Sequence, residues 1–463
     1  MSVISSVVNF DENLSKNLPY CNLLLEQMTG NSRSVKVCEH AAMASAFEKG
    51  VISKICEGYQ FIIAFSGKLF DTAPLFEKLS ACGYRFSDKS DAELALFCYI
   101  HFGEQSPGLL SGNFSYIIYD SMRRQVFAAV DDIASMPIFY AELSGGAIIS
   151  SKIRSILSHP DIPTHTTGEK LSWLLSAPSK TTGNIFDKIY ALPPLHILKI
   201  TPGGIVTKKY SVNHKELSPK EIVSEMLFQS PEKISAIYTG AQCDLRLLQL
   251  ITEAGTPTQM TVYSGDYHEI FKELSVKWQR LSFCEESILT SLEQIVRVCG
   301  MPQMTGGDFV MSGVLRRFCC AGELIFTAFS ANPESCSYEK VLRQNNAYHP
   351  QVMETLCYEE PSCTFALNTP QILADSCEVR QCSPFMRTKG GFSVPESAKI
   401  PLRHILLSII SKDTSPVLAF FKSSSLLRLC EGGFELSGLS ESQLISYIIK
   451  LNIWLEKYRP SIL

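Results

Sequence analysis

The sequence contains no CxxC pair among its 16 cysteines, and its His159-x5-His165 spacing follows no closely spaced pair of them. Zinc-finger and zinc-ribbon spacing is therefore missing. A disulfide scaffold is also a poor fit. Such folds are short, whereas 45% of these 463 residues are hydrophobic, enough to fold around a core without staples. Long apolar runs are lacking: the longest mostly apolar stretches, such as Ile405–Ile410 and Val417–Phe421, fall far below the roughly 20 residues that span a bilayer. Met1–Phe10 has neither a basic n-region nor an apolar h-region, so no secretory signal is expected. Neither sign of charge is in excess. Lys and Arg number 42 against 46 Asp and Glu, a net charge of −4, which predicts neither nucleic-acid nor membrane partners. Internal repeats and low-complexity tracts are absent too. The expectation is a soluble protein of the reducing cytoplasm.

What is present divides into two patterns, matching a prior of two or more domains for this length. Residues 1–212 are rich in short β-type runs: Gln60–Phe65, Phe114–Tyr119, Gln125–Val130, Pro137–Tyr140 and Gly146–Ser150. Asp120-Ser-Met-Arg-Arg124 joins two of them as a hairpin turn. Helical periodicity marks Ala73–Cys82 and Asp91–Phe102. A polar stretch, Asn213–Glu221, then reads as a domain edge. Over 222–463 strands alternate with helices. The strands are Lys233–Tyr238, Thr258–Ser264, Arg280–Phe283 and Glu323–Phe329. The helices are Asp244–Ala254, Tyr267–Trp278, Glu285–Val298, Val310–Cys320 and a final amphipathic Ser440–Tyr458. That alternation predicts a parallel sheet flanked by helices.

Residues 60–160 resemble the glutaminase domain of the asparagine synthetase family. The match runs through Phe65-Ser-Gly-Lys-Leu-Phe-Asp71, Gly83-Tyr-Arg-Phe86 and Ser90-Asp-Ala-Glu93. It continues through Leu110-Ser-Gly-Asn-Phe114, Tyr119-Asp120, Ala129-Val-Asp131, Met136–Tyr140 and Ser150–Arg154. Ile189–Pro194 is similar to the family's segment before the interdomain crossing, and the second half is similar to its ATP-pyrophosphatase-type synthetase domain. The resemblance implies an α+β, N-terminal-nucleophile-type layered domain. An α/β nucleotide-hydrolase-like (ATP pyrophosphatase) domain with a helical C-terminus would follow. Within the family, the chain looks most like the shorter members that include lasso-peptide cyclases.

The glutaminase chemistry of that family needs a thiol at residue 2, exposed as the mature N-terminus so that its own α-amine is the base. Here residue 2 is Ser2 and the first cysteine is Cys21. The family's Asn-Gly oxyanion pair reads Ser66-Gly67, so an amide donor is lost, typically worth roughly 2.7–4 kcal/mol of transition-state stabilisation. Asp91 matches the family's contact to the glutamine amine, or else caps the following helix. In the synthetase half, a Ser-Gly-Gly-x-Asp-Ser turn surrounds pyrophosphate with backbone amides at a helix N-terminus. This chain has Thr239-Gly-Ala-Gln-Cys-Asp244. Thr239 and Gly240 fit, Ala241 and Cys243 do not, and Asp244 is either a displaced site residue or the N-cap of the next helix. The second nucleotide motif leaves only Glu334, in Ser330-Ala-Asn-Pro-Glu334, as a carboxylate toward Mg²⁺. Thr305-Gly-Gly-Asp308 reads as a loop and cap. Lys422 is the candidate for the family's charge-stabilising lysine, with a solvated surface charge as the alternative. Pro384-Phe-Met-Arg387 has lost the family's aspartate, and Lys399 and Arg403 either face a phosphate or serve a helix surface.

Cys243 with His268 would make a Cys/His site, or Cys243 is a small buried residue. His159 and His165 have no evident ligand partners in the sequence. Two functions follow. One is ATP-dependent amide-bond formation without glutaminase activity, in peptide or small-molecule maturation, with ATP and Mg²⁺ as cofactors and Thr239, Gly240, Glu334 and Lys422 as the surviving parts; its metal ligands are not assigned. The other is a silent scaffold binding a peptide or an active partner subunit.

Overall fold

The computed structural model describes residues 3–29, 34–46, 49–132, 134, 136–167, 170, 185–214, 219–228, 234–238, 242–254, 260–264, 268–300, 302, 309, 323–327, 363–365, 394, 396–432 and 441–462. The chain forms two compact units: 1–167 with 182–216 and 463, and 168–181 with 217–462. No helix among the described residues is long and apolar enough to cross a membrane.

In chain order the first unit contains β1 (Ile4–Asn9), α1 (Leu18–Thr29), β2 (Ser34–Val37), β3 (Ala41–Ser45), β4 (Val51–Cys56) and β5 (Tyr59–Phe70). Next come α2 (Ala73–Ala81), α3 (Asp91–Phe102), β6 (Ser111–Asp120), β7 (Gln125–Val130), β8 (Phe139–Leu143), β9 (Gly146–Ser150) and α4 (Ile153–Leu157). It ends with β10 (His165–Thr166), β11 (Tyr190–Ala191), β12 (His196–Thr201) and β13 (Gly204–Lys209). Two six-stranded sheets result, ordered β11-β8-β9-β1-β3-β2 and β13-β12-β7-β6-β5-β4. Their residue-by-residue pairings are antiparallel.

Period-2 alternation assigns each strand's two faces. On β5 and β6, Ile62, Ala64, Ile117 and Tyr119 join Ile4, Val8, Met43 and Ile149 of the other sheet in one core between the sheets. Their neighbours Phe61, Ile63, Phe65, Tyr116 and Ile118 pack instead with Leu94, Phe97 and Tyr99 of α3. On the far side, α1 lies against β1 and β3, and α4 against β8 and β9. The unit is therefore a helix–sheet–sheet–helix sandwich. Strands buried on both faces read as near-continuous apolar runs, which is why those after Gln60 stand out in the sequence. The strands β1, β2 and β3 were not expected. Serines and alanines interrupt their apolar pattern, although β1 is buried along nearly its whole length.

The expected turn at Asp120–Arg124 is present: Asp120 pairs with Gln125 where β6 meets β7. Asp120 is fully buried, and its carboxylate accepts from Tyr99 Oη (2.9 Å), Arg123 Nη1 (2.9 Å) and the Arg123 amide (3.0 Å). Gln125 Nε2 in turn donates to Tyr99 Oη at 2.7 Å. Burial, then the adjacent Asp120 charge, pushes the Tyr99 phenol far above its ordinary value. Tyr99→Phe strips a donor from Asp120 and an acceptor from Gln125 inside the core. A loss of about 1–3 kcal/mol is expected, read from the urea midpoint at unchanged slope.

The second unit contains a five-stranded sheet with parallel pairings, ordered β16-β15-β14-β17-β18, from β14 (Ile234–Ile237), β15 (Met260–Ser264), β16 (Lys277–Arg280), β17 (Glu323–Thr327) and β18 (Cys363–Phe365). A helix over Glu285–Cys299 closes at Gly300, in the left-handed conformation. It packs with helices Glu396–Ile410 and Glu441–Tyr458, and the Trp454 indole donates to the Gly300 carbonyl at 2.9 Å. Two expectations are corrected. The helix expected over Tyr267–Trp278 is a single turn, Ile270–Glu273, because Ser275 turns the backbone to φ 55°. Trp278 then lies in β16, three residues before the strand expected at Arg280–Phe283, where a β-branched and an aromatic residue at 276 and 278 favour extended chain. The expected helix Val310–Cys320 lies outside the described residues.

Candidate functional site

The end of the β5–β6 pair is shaped by two glycines. A Cβ on Gly67 would stand 2.0 Å from the Asn113 carbonyl oxygen, and one on Gly112 would stand 2.3 Å from that of Lys68. Their φ angles are +129° and +138°. Only glycine tolerates both the conformation and the close approach. Beside Gly67, the buried Ser66 Oγ lies 3.9 Å from Met136 Sδ, a weak acceptor. Across the ladder Ser66 faces Ser115 and Lys68 faces Asn113. By alternation with Ile117 and Tyr119, Asn113 and Ser115 point between the sheets. Asn113 Oδ1 and Ser115 Oγ are buried and have no hydrogen-bond partner among the described residues.

Lys68 reaches Asp91. Its Nζ is 3.3 Å from Asp91 Oδ2, and the Leu69 amide donates to the same oxygen at 3.1 Å. Asp91 is the first residue of α3 and not its cap. Ser90 holds the N-cap, its Oγ accepting from the Glu93 amide at 3.2 Å. That overturns the capping alternative for Asp91 and leaves its carboxylate turned back onto β5. The Lys68 side chain is half exposed, so the pair adds little stability, about 0–1 kcal/mol. Its consequence is occupancy: an ammonium from the chain itself stands on Asp91.

The loop that delivers Asp91 is anchored by Glu93. This side chain is only 1% exposed. Its carboxylate accepts from the amides of Ser87 (2.8 and 2.9 Å), Asp88 (3.1 Å) and Lys89 (3.1 Å), and Lys54 Nζ lies 2.5 Å away. Burial alone would raise its pKa. The Lys54 ammonium and the Ser87 and Asp88 amides outweigh burial and hold the carboxyl down at about 2. Ser90-x-x-Glu93 has the capping-box pattern, but only half of the box forms: the Ser90 amide donates to Asp88 Oδ1, and the Glu93 carboxylate turns to the amides before it, a partner the pattern does not signal. Lys68 had no sequence signal either: its partner is set by strand register together with the start of α3.

In the second unit, β14 is the central strand, with β15 and β16 to one side and β17 and β18 to the other. This is a doubly wound order, and its reversal falls between β14 and β17. Helix Gln242–Glu253 is the next described element after β14, whose carboxyl end borders the switch point. Thr239, Gly240 and Glu334 themselves fall outside the described residues. Asp244 is the third residue of that helix, which corrects its reading as an N-cap; Gln242 and Cys243 already carry helical backbone. The side chains of Cys243 and Asp244 are not described. His268 packs edge-on against the Tyr238 and Phe271 rings. Lys422 is exposed at the N-cap of helix Ser423–Glu431, and its side chain makes no capping bond. Arg403 pairs with Glu441 at 3.2 Å, a helix-surface role. No group of three or more His, Cys, Asp or Glu among the described residues is set to hold a metal.

Residues 53–211 match the glutamine amidotransferase domain family. Asparagine synthetase (glutamine-hydrolyzing) 3 of Bacillus subtilis is 33% identical over 156 residues, 33% of this chain and 25% of that protein. Asparagine synthetase (glutamine-hydrolyzing) 1 of the same organism is 23% identical over 243 residues, 50% of this chain and 37% of that protein. The matches thus span between a quarter and just over a third of these relatives' length. A solved glutamine phosphoribosylpyrophosphate amidotransferase from B. subtilis aligns over 81% of this chain and 93% of its own at 11% identity. Its TM-score of 0.32 is too low to carry an argument. The antiparallel sandwich, the glycine-shaped β5–β6 end with Asp91 beside it, and the matched relatives agree: residues 53–211 are a glutamine amidotransferase-type domain, similar to that of the asparagine synthetases.

Proposed function

We propose that the chain forms an amide bond at the expense of ATP, on a carboxylate of a peptide or small molecule, without a glutaminase step, as lasso-peptide cyclases do. The observation that carries this reading is the doubly wound order β16-β15-β14-β17-β18, with its switch point beside the carboxyl end of β14; Thr239 and Gly240 follow β14 in the sequence. Ligands of open α/β sheets bind outside the strand ends at such a point. ATP with Mg²⁺ would be held there by Thr239, Gly240 and Glu334, with Lys422 offsetting charge late in the reaction. ATP, when bound, supplies the activation of the carboxylate.

The loss of glutaminase activity is supported by Lys68 and Ser66. In the family resemblance, Asp91 meets the amine of free glutamine, and here the Lys68 ammonium stands on it. Ser66 replaces an amide donor and is turned to Met136.

Calorimetry tests the reading. The purified chain is expected to bind ATP with Mg²⁺, and a Thr239→Ala/Gly240→Ala double variant to lose that binding. Ammonia release from glutamine should stay at background, and Lys422→Ala should abolish ATP-dependent turnover. Absence of ATP binding up to millimolar nucleotide sinks the ligase and leaves the scaffold for a peptide or an active partner subunit.

A further inference from the structure

Seven free cysteines are described. Cys21, Cys38, Cys98 and Cys430 are buried, Cys56 is half-buried, and Cys82 and Cys284 are exposed. Burial pushes the Cys98 thiol up to about 12 and the Cys38 thiol up to about 11, which makes both inert. Cys82 differs from all of these in its neighbour. Its Sγ lies 3.9 Å from His101 Nε2, within reach of a sulfur hydrogen bond. Both side chains face solvent.

The pair is built by two helix ends. Cys82 is the C-cap of α2, its amide donating to the Lys78 carbonyl at 3.1 Å. His101 sits in the last turn of α3, about 15 Å along that helix from Asp91. Two rings frame the imidazole: Tyr84, edge-on with centroids 5.7 Å apart, and Phe102, edge-on at 4.5 Å. The Lys78 ammonium lies 4.8 Å from the Phe102 centroid and adds positive charge to the patch. The imidazole is the proton acceptor within reach of this thiol.

We propose that Cys82 is a site of reversible modification by low-molecular-weight disulfides, with His101 as its base. The thiol proton passes to His101 Nε2, and Cys82 Sγ attacks one sulfur of the incoming disulfide. The S–S bond breaks as the new one forms. The departing half leaves as a thiolate and takes the proton from the imidazolium. Cys82 ends oxidised as a mixed disulfide, and the departing half is reduced to a thiol. Excess thiol reverses the exchange.

The test uses the full chain with oxidised glutathione, sampled over time by peptide mass mapping, with Cys284 as internal reference. A mixed disulfide is expected at Cys82, removed by dithiothreitol. His101→Gln and His101→Asn should slow its formation about threefold to tenfold, since neither amide can take the thiol proton as the disulfide is attacked. The Cys284 rate should stay unchanged in both, and an unchanged urea midpoint reports that the first unit remains folded. No mixed disulfide at Cys82, or equal Cys82 rates in the parent and both variants, overturns the assignment.

Discussion

Gly67→Ala should lower the stability of the amidotransferase unit by about 2–6 kcal/mol, the sum of backbone strain and steric overlap, each about 1–3 kcal/mol. At φ +129° an alanine is strained before any neighbour is considered. Its Cβ then meets backbone rather than a yielding side chain: the Asn113 oxygen at 2.0 Å and the Phe114 Cα at 2.7 Å. Relief would require β5 and β6 to separate, breaking the ladder that holds Ser66 opposite Ser115. Gly58→Ala provides the comparison. Its φ is +82°, but its Cβ would meet nothing within 4 Å, so strain alone remains, about 1 kcal/mol. Urea unfolding of the full chain separates the two, and amide exchange should quicken along β5 and β6 only in Gly67→Ala. Similar losses in both variants would mean that the strands part easily and that close approach is not what position 67 requires.

Glu93→Ala is the second large effect. The substitution strands three backbone amides and the ammonium of Lys54 in a partly buried place, a loss of about 3–5 kcal/mol. A pH signature accompanies it. The folded carboxyl titrates at about 2, below its ordinary 4.5, so the folded state binds fewer protons across that interval. The stabilisation is fully present above about 4.5 and is lost as pH falls toward 2. The stability gap between parent and Glu93→Ala should therefore shrink over that window and stay constant from pH 5 to pH 7. A gap that ignores acid would show that another group supports the 87–90 loop.

How much of this was legible depended on what each feature rests upon. Gln125–Val130, Gly146–Ser150 and Asp91–Phe102 are carried by local pattern, and their ends agree with the structure to the residue. β1 is carried by its neighbours. Ser5 and Ser6 dilute its apolar signal, yet both are fully buried because strands lie on either side. The single-turn helix at Ile270–Glu273 followed apolar spacing until Ser275 reversed the backbone, a choice no periodicity records. The same division holds at the site. Gly67 and Asp91 were visible as motif residues. Their encounter with Lys68 arises only once β5 is registered on β6 and α3 starts beside it. Asp244 misled because a short polar residue after a turn resembles a cap, while the helix had already begun at Gln242.

The place of β1 inside its sheet sets a timetable for synthesis. Ser5 pairs with Ala44 on one side and with Ser150 on the other, so the second partner is made 145 residues later. At about 5–20 residues per second, that interval is about 7–30 s. Throughout it, one whole edge of β1 faces the cell with its backbone groups unpaired, a template on which another nascent chain can dock. The delay, more than the strength of the finished sandwich, would then govern how much of this protein emerges folded, and slowing translation before Gly146 should lower the soluble yield.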